Sequence, residues 1–344
     1  MNSNNYSPSK TKIIIVQLGS PRSPSITDVR EYLREFLSDP RVVDLPRCTW
    51  MLILYLFVLP FRPKKSAHAY RLIWDGSSFP LVALTVSLVE KLKKYMTGEM
   101  EVESCFLLSD PRLPSILQRW NQEDPKQRAQ HFIILPQFPQ YSESTSASVF
   151  DELAKAMKSQ VVIPHITFIS SFHRFKGFID LMVNNIHNVI KQHKIDHLLI
   201  SFHGVPTRRI QEKKDIYYDQ CLETFHLLKA RVNFPQDKIH LCFQSRFGRE
   251  EWLLPSTEQV AIDLANQGVQ NIAVSCPSFT IDCLETTVEI GIELREKLSP
   301  LGTEVILVPA LNDFDDWVLE LSKLIKNIVQ SGPKALEELS FEPL

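Results

Sequence analysis

The stretch HFIILPQF, residues 131–138, is an apolar run that closes on a proline with a phenylalanine two residues later, and NIAVSCPSF, residues 271–279, repeats that pattern in the second half of the chain. Short, continuously apolar runs of this kind read as strands buried on both faces, which is the habit of parallel sheets. Six more runs lie around these two: KIIIVQLG (12–19), VESCFLL (102–108), ITFISSF (166–172), HLLISFHG (197–204), KIHLCFQS (238–245) and EVILVPAL (304–311). Longer helix-compatible stretches separate them. Strand, crossover helix and strand in alternation make an α/β chain, and two sets of four strands make a duplicated unit. Ligands of such folds bind outside the carboxyl ends of the strands, where loops and helix N-termini open a crevice. The functional weight therefore falls on Gln17–Pro21, Ser109 and Asp110, Gln137–Tyr141, Ser201–His203, Gln244–Arg246 and Ser275–Glu285.

Composition narrows the ligand. With 38 basic and 40 acidic residues in 344, the net charge of −2 gives no footprint for gripping a phosphate backbone, and nucleic acid is not an expected partner. The ten glycines include no G-x-G pair, and no GK[ST] occurs, so the usual cradle for a nucleotide is missing. The six cysteines are scattered, without the close pairs of a structural zinc or iron–sulfur site, and read as reduced thiols. The polar opening MNSNNYSPSK has neither a signal-peptide core nor an arginine-rich transit pattern, so a cytoplasmic location is expected. Trp50–Phe61 (WMLILYLFVLPF) is an apolar run of twelve, flanked by Arg47 and by Arg62, Lys64 and Lys65. It is too short to span a bilayer, which takes about 20 apolar residues. It reads equally as a buried core helix or as an exposed apolar lip lying on a membrane surface.

Two segments carry the chemistry. In LLISFHGVP a buried strand delivers His203 to its carboxyl end, where an imidazole can take up protons or bind a metal. In CPSFTIDCLETTVEIGIE, Thr280 or Asp282 is placed to cap a helix, and Asp282, Glu285, Glu289 and Glu293 follow at spacings of 3, 4 and 4. On an α-helix that spacing makes one acidic stripe, able to attract a hard divalent cation and pass protons outward. On spacing alone a structural histidine and a solvated acidic face account for the same residues. His193 and His197 stand four apart without a third ligand and read as a surface turn, Trp252 reads as core or lip, and YSESTSAS (141–148) as the first turn of a helix.

Together these motifs resemble the ferrochelatase family. The opening KIIIVQLGSPRSPSITDVREYLREFLSDPRVVDLP, the segments PQFPQYSESTSAS, SFHGVP, EEWLLPSTE and FTIDCLETTVEI occur in that family's order, from about Lys12 to about Trp317. The resemblance implies two similar Rossmann-like domains, each with a four-stranded parallel sheet flanked by helices, and a cleft between them. Residues 10–163 with 311–330 would form the first, carrying the apolar lip (47–65), and 164–310 the second, carrying His203 and Glu285. It implies insertion of Fe2+ into protoporphyrin IX to give protohaem, with coproporphyrin III, or porphyrin binding without catalysis, as alternatives. His203 and Glu285 would be catalytic and meet the metal. Asp282 and Glu289 would relay protons or metal, and Trp252, Gln137, Tyr141 and Cys283 would line the porphyrin pocket. Iron is then a substrate, and no tightly bound cofactor is expected. An iron–sulfur cluster is not expected either, since Glu143 stands at one cysteine position of cluster-bearing members and ALEELSFEPL, at the carboxyl end, contains no cysteine. A monomer touching the inner face of the membrane through residues 50–61 is expected. Leu107 and Leu108 stand where many relatives have Arg-Tyr, and Ser77–Pro80 replaces the family's GGSP turn.

Overall fold

The computed structural model describes residues 10–342 apart from 97, 99, 249 and 333. All eight expected strands form: β1 Thr11–Gln17, β2 Met100–Phe106, β3 His131–Pro136, β4 His165–Phe168, β5 His197–His203, β6 Ile239–Gln244, β7 Asn271–Ser275 and β8 Glu304–Leu307. They make two parallel sheets of the same topology, β2-β1-β3-β4 and β6-β5-β7-β8. Thr11 opposes Met100 on one side and His131 on the other, while Leu198 opposes Ile239 and Ala273. In each sheet the strand order reverses between the first and third strands, so each carries a crevice at the carboxyl ends of β1/β3 and β5/β7.

Strand alternation sorts the core. Ile13 and Ile15 of β1, Ile133 and Leu135 of β3, and Leu198, Ile200 and Phe202 of β5 belong to one central cluster, with the helices Lys176–Gln192, Tyr217–Arg231 and Asp315–Ser331. Ile14, Val16 and Ile134 point the other way, onto Leu113–Gln122 and Ser146–Lys158. Leu199, Ile272 and Val274 do the same against Thr257–Asn266 and the helix that carries Glu285. Successive side chains of a strand face opposite sides, which is why one short run can serve two cores.

The expected domain boundary needs one correction. Residues 164–310 include β4, yet β4 pairs with β3 through Phe132↔Ile166 and Ile133↔Thr167, and so completes the first sheet. The last long helix, Asp315–Ser331, packs both on Pro80–Lys93 of the first half and on Lys176–Gln192.

The Trp50–Phe61 run is packed on one face and exposed on the other. It is helical, with a π-type turn at Leu54–Val58, and its Trp50, Leu54 and Leu59 pack on Val29, Leu33 and Leu37 of the helix Ile26–Ser38. Trp50 Nε1 donates to the Leu37 carbonyl at 2.6 Å. Leu52, Leu56, Phe57 and Phe61 are 60–73% exposed on the other face. No helix among the described residues is long and apolar enough to cross a membrane.

Candidate active site

His203 is the last residue of β5 and half-buried. Its Nδ1 lies 2.6 Å from the carbonyl of Gly204. A carbonyl can only accept, so Nδ1 carries the proton and the free lone pair is on Nε2. Burial pushes the imidazole pKa down, opposed by the Glu285 carboxylate and the Gly204 carbonyl, with a further push down from Arg209. The ring is thus a neutral base at neutral pH. Its backbone is fixed as well: His203 N donates to Ser278 Oγ at 3.2 Å, and Tyr217 donates its hydroxyl to the His203 carbonyl at 2.8 Å.

Gly204 is required by close approach. A Cβ there would stand 2.7 Å from the Gln244 carbonyl and 3.2 Å from the Trp252 ring. Trp252, half-buried, therefore lies directly on the turn that follows His203, pinned by a bridge to Pro206. By itself the residue reads as core or lip, and the family resemblance makes it pocket lining; in the structure it packs on the turn beside the histidine.

Glu285 stands in the first turn of the helix that follows β7. The helix it opens is not the expected α-helix: Leu284–Leu294 is a π-helix, and its cap is Cys283 rather than Thr280 or Asp282. Cys283 N donates to Thr286 Oγ1 at 3.0 Å, closing a capping box. Extended π-helices are uncommon and concentrate at functional sites. Asp282 falls outside the helix and off the stripe. Its carboxylate accepts from Thr286 Oγ1 (2.9 Å), Asn312 Nδ2 (2.7 Å) and Ala310 N (3.2 Å), so it braces the loop that presents Glu285. Asn312 adopts a left-handed conformation (φ 50°), which asparagine tolerates.

Glu289 follows Glu285 along the helix and is held by Ser245, whose N–H and hydroxyl each donate at 2.6 Å. Ser245 itself sits at φ 65°, a strained position for a non-glycine residue at the end of β6. Burial pushes the Glu289 carboxyl up to about 7, with Ser245 opposing and Glu285 and the exposed Glu293 adding to it. Glu285, Glu289 and the exposed Glu293 thus follow one another along this helix.

The first half supplies the facing wall. Leu18, Gly19, Ser20, Tyr32 and Tyr70 line one pocket with Glu285. Tyr32 and Tyr70 meet edge to face at 6.0 Å, and burial holds both phenols protonated, well above their usual range. Nothing in the sequence singled these tyrosines out, because they lie on helices whose register only packing reveals.

The remaining candidates divide. The buried Cys283 thiol has its pKa pushed up by burial and then by Glu285, so it stays protonated. Gln137 is 1% exposed; its carbonyl accepts from Thr280 Oγ1 at 3.1 Å, joining β3 to the Glu285 loop. Tyr141 is not brought to the centre: its neighbours are Arg41, Glu143 and Asp215, and its N–H donates to Gln220 Oε1 at 2.7 Å. Among the described residues no three His, Cys, Asp or Glu side chains converge into a ready-made metal cage. His203 and Glu285 offer one neutral nitrogen and one carboxylate, a set suited to a cation in transit.

Known proteins point the same way as this geometry. The chain is 38% identical to a ferrochelatase of Idiomarina loihiensis, covering 93% of this chain and 88% of that protein. It is 38% identical to a ferrochelatase of Proteus mirabilis (93% and 98%) and 36% identical to ferrochelatase 2 of Shewanella oneidensis (92% and 97%). Among solved structures it is similar to SirB from Bacillus subtilis with Fe3+, at a TM-score of 0.55 and 12% identity, covering 97% of this chain and 100% of that one; this likeness concerns the fold alone. A sequence model of the ferrochelatase family matches residues 10–329, and with His203 and Glu285 set at neighbouring crevice ends, the chain belongs to the ferrochelatase family.

Proposed function

We propose that the protein inserts Fe2+ into protoporphyrin IX, giving protohaem, with His203 and Glu285 at the insertion centre. The observation that carries this is the placement of His203 at the end of β5, with its Nε2 lone pair free, and of Glu285 beyond the paired strand β7, in a chain of the ferrochelatase family. Metallation removes two protons from weakly acidic pyrrole nitrogens and strips water from the cation. The Nε2 lone pair of His203 accepts a pyrrole proton while Glu285 meets the incoming Fe2+. Glu289, titrating near 7, passes protons on towards Glu293 and solvent. Trp252 and the Tyr32–Tyr70 wall hold the macrocycle against these groups and exclude water.

The apolar face of Leu52, Leu56, Phe57 and Phe61 favours a substrate with an apolar edge over coproporphyrin III with its four carboxylates. The same face, beside the exposed Arg47, Lys64 and Lys65, suits the inner surface of a membrane, where an apolar porphyrin is delivered and haem collected.

The test is anaerobic incubation with Fe2+ and either protoporphyrin IX or coproporphyrin III, comparing wild type with His203→Ala and Glu285→Gln. Haem formation fastest from protoporphyrin IX, lost in both variants while porphyrin binding persists, is expected. Tight binding by folded wild type without metallation would refute the activity.

A further inference from the structure

Gln244 touches the backbone beside both groups of the insertion centre. It is the last residue of β6, 4% exposed, and stands next to His203 in the sheet, paired with it across β5 and β6. Its main-chain carbonyl accepts from Gly204 N at 2.8 Å, in the turn that follows His203. Its side-chain Nε2 donates at 2.8 Å to the carbonyl of Glu285, 41 residues away in sequence. The amide has no freedom to turn over. Oε1 accepts from the Ser201 hydroxyl at 2.8 Å and from the Cys276 thiol at 3.3 Å, so the NH2 end must face Glu285. Ser201 in turn lies 2.7 Å from the Thr257 hydroxyl, and Ser201, Cys276 and Thr257 are all buried. A satisfied buried network of this kind holds one geometry.

The bond to Glu285 also bears on how its helix winds. A π-helix pairs each carbonyl with the N–H five residues on, and a side chain that donates to such a carbonyl draws it off the axis and widens the turn. The next residue repeats the grip, since Ser245 holds the Glu289 carboxylate through its N–H and its hydroxyl. Successive side chains of a strand face opposite ways, and the positive φ of Ser245 (65°) turns the chain so that both residues reach one helix. We propose that Gln244 is a positioning residue for metal insertion, which sets His203 and Glu285 relative to each other by holding the backbone at each. The assignment rests on the reading of these two groups as the insertion centre and deepens it. In this role Gln244 meets neither porphyrin nor metal, so its loss slows insertion and spares porphyrin binding.

The experiment compares wild type with Gln244→Met, which keeps the length of the side chain and removes the amide, and with Ser201→Ala, which keeps the amide and removes one of the donors that orient it. Haem formation is followed anaerobically at saturating Fe2+ and protoporphyrin IX, and porphyrin Kd by fluorescence quenching in metal-free buffer. Gln244→Met should lower kcat about tenfold, the loss of one hydrogen bond that aims a reacting group, and change Kd by less than about twofold. Ser201→Ala should lower kcat about threefold with Kd again unchanged, and it carries the test if Gln244→Met does not fold. Combined with Glu285→Asp, which shortens the carboxylate, Gln244→Met should cost less than the product of the two single losses, because both act through the same group. Unchanged kcat, parallel weakening of kcat and Kd, or losses that multiply would each make Gln244 an ordinary core contact and overturn the proposal, while wild type still metallates. Failure of wild type to bind or metallate the porphyrin would overturn the reading of the cleft, and this assignment with it.

Discussion

Replacing Glu289 by glutamine should remove a pH-dependent weakness from the fold. The wild-type carboxyl has its ordinary value near 4.5 when unfolded and is pushed up to about 7 in the native protein, chiefly by burial. Between those values the native state keeps a proton that the unfolded chain has released, so native stability falls as pH rises through the window and levels off above it. The span is worth up to about 3 kcal/mol, and the side chain's partial contact with solvent reduces this to about 2. Glutamine preserves the shape and both contacts with Ser245, whose N–H still donates and whose hydroxyl can rotate to accept from the new amide. Urea unfolding of wild type and Glu289→Gln, in chelator-treated buffer at pH 5 and pH 8, checks the argument. The two should be near equal at pH 5, and the variant more stable by about 2 kcal/mol at pH 8. Parallel pH dependences would refute it, by showing that Glu289 is not forced to hold its proton. If Glu289 also carries protons away from the site, the more stable variant should metallate more slowly.

Gly204→Ala should place a Cβ 2.7 Å from a backbone carbonyl that cannot swing aside, displacing His203 and Trp252 together; insertion should fall by at least about a hundredfold and stability by about 1–3 kcal/mol. Asp44→Ala should cost about 3 kcal/mol in urea unfolding, because this 6%-exposed carboxylate is shared by Arg208 and Lys213 and joins the base of the lip to the chain beyond His203. Those cations and the Arg209 guanidinium hold the Asp44 carboxyl well below the usual carboxylate range, so its contribution is present at neutral pH and lost as pH falls below about 4. Phe57→Glu with Phe61→Glu should abolish sedimentation with anionic lipid vesicles while leaving insertion into detergent-dispersed porphyrin within about threefold, since both rings point outward.

His203 shows how far local reading reaches. A continuous apolar run ending in a histidine is legible as a strand end, and all eight strands stood where such runs placed them. The boundary at 163 was wrong because a short edge strand such as β4 carries no mark of the sheet it joins; only its pairing with β3 assigns it. The acidic stripe was half legible. Spacing located Glu285 and Glu289 on one helix, but it could not reveal that Leu284–Leu294 winds as a π-helix capped by Cys283, or that the Asp282 carboxylate is occupied by Asn312, Thr286 and Ala310.

By itself the sequence determined the periodicity, and with it the parallel α/β class, the duplicated four-strand unit, the residues at the strand ends and the family. These follow from burial and chain direction, which are written into successive residues. Only the tertiary structure decided which groups come together: Gly204 under Trp252, Tyr32 and Tyr70 in one pocket with Glu285, and Arg62 over Phe247. Such contacts join segments far apart in the chain, and their geometry depends on how two sheets and their helices pack, which no local pattern of residues encodes.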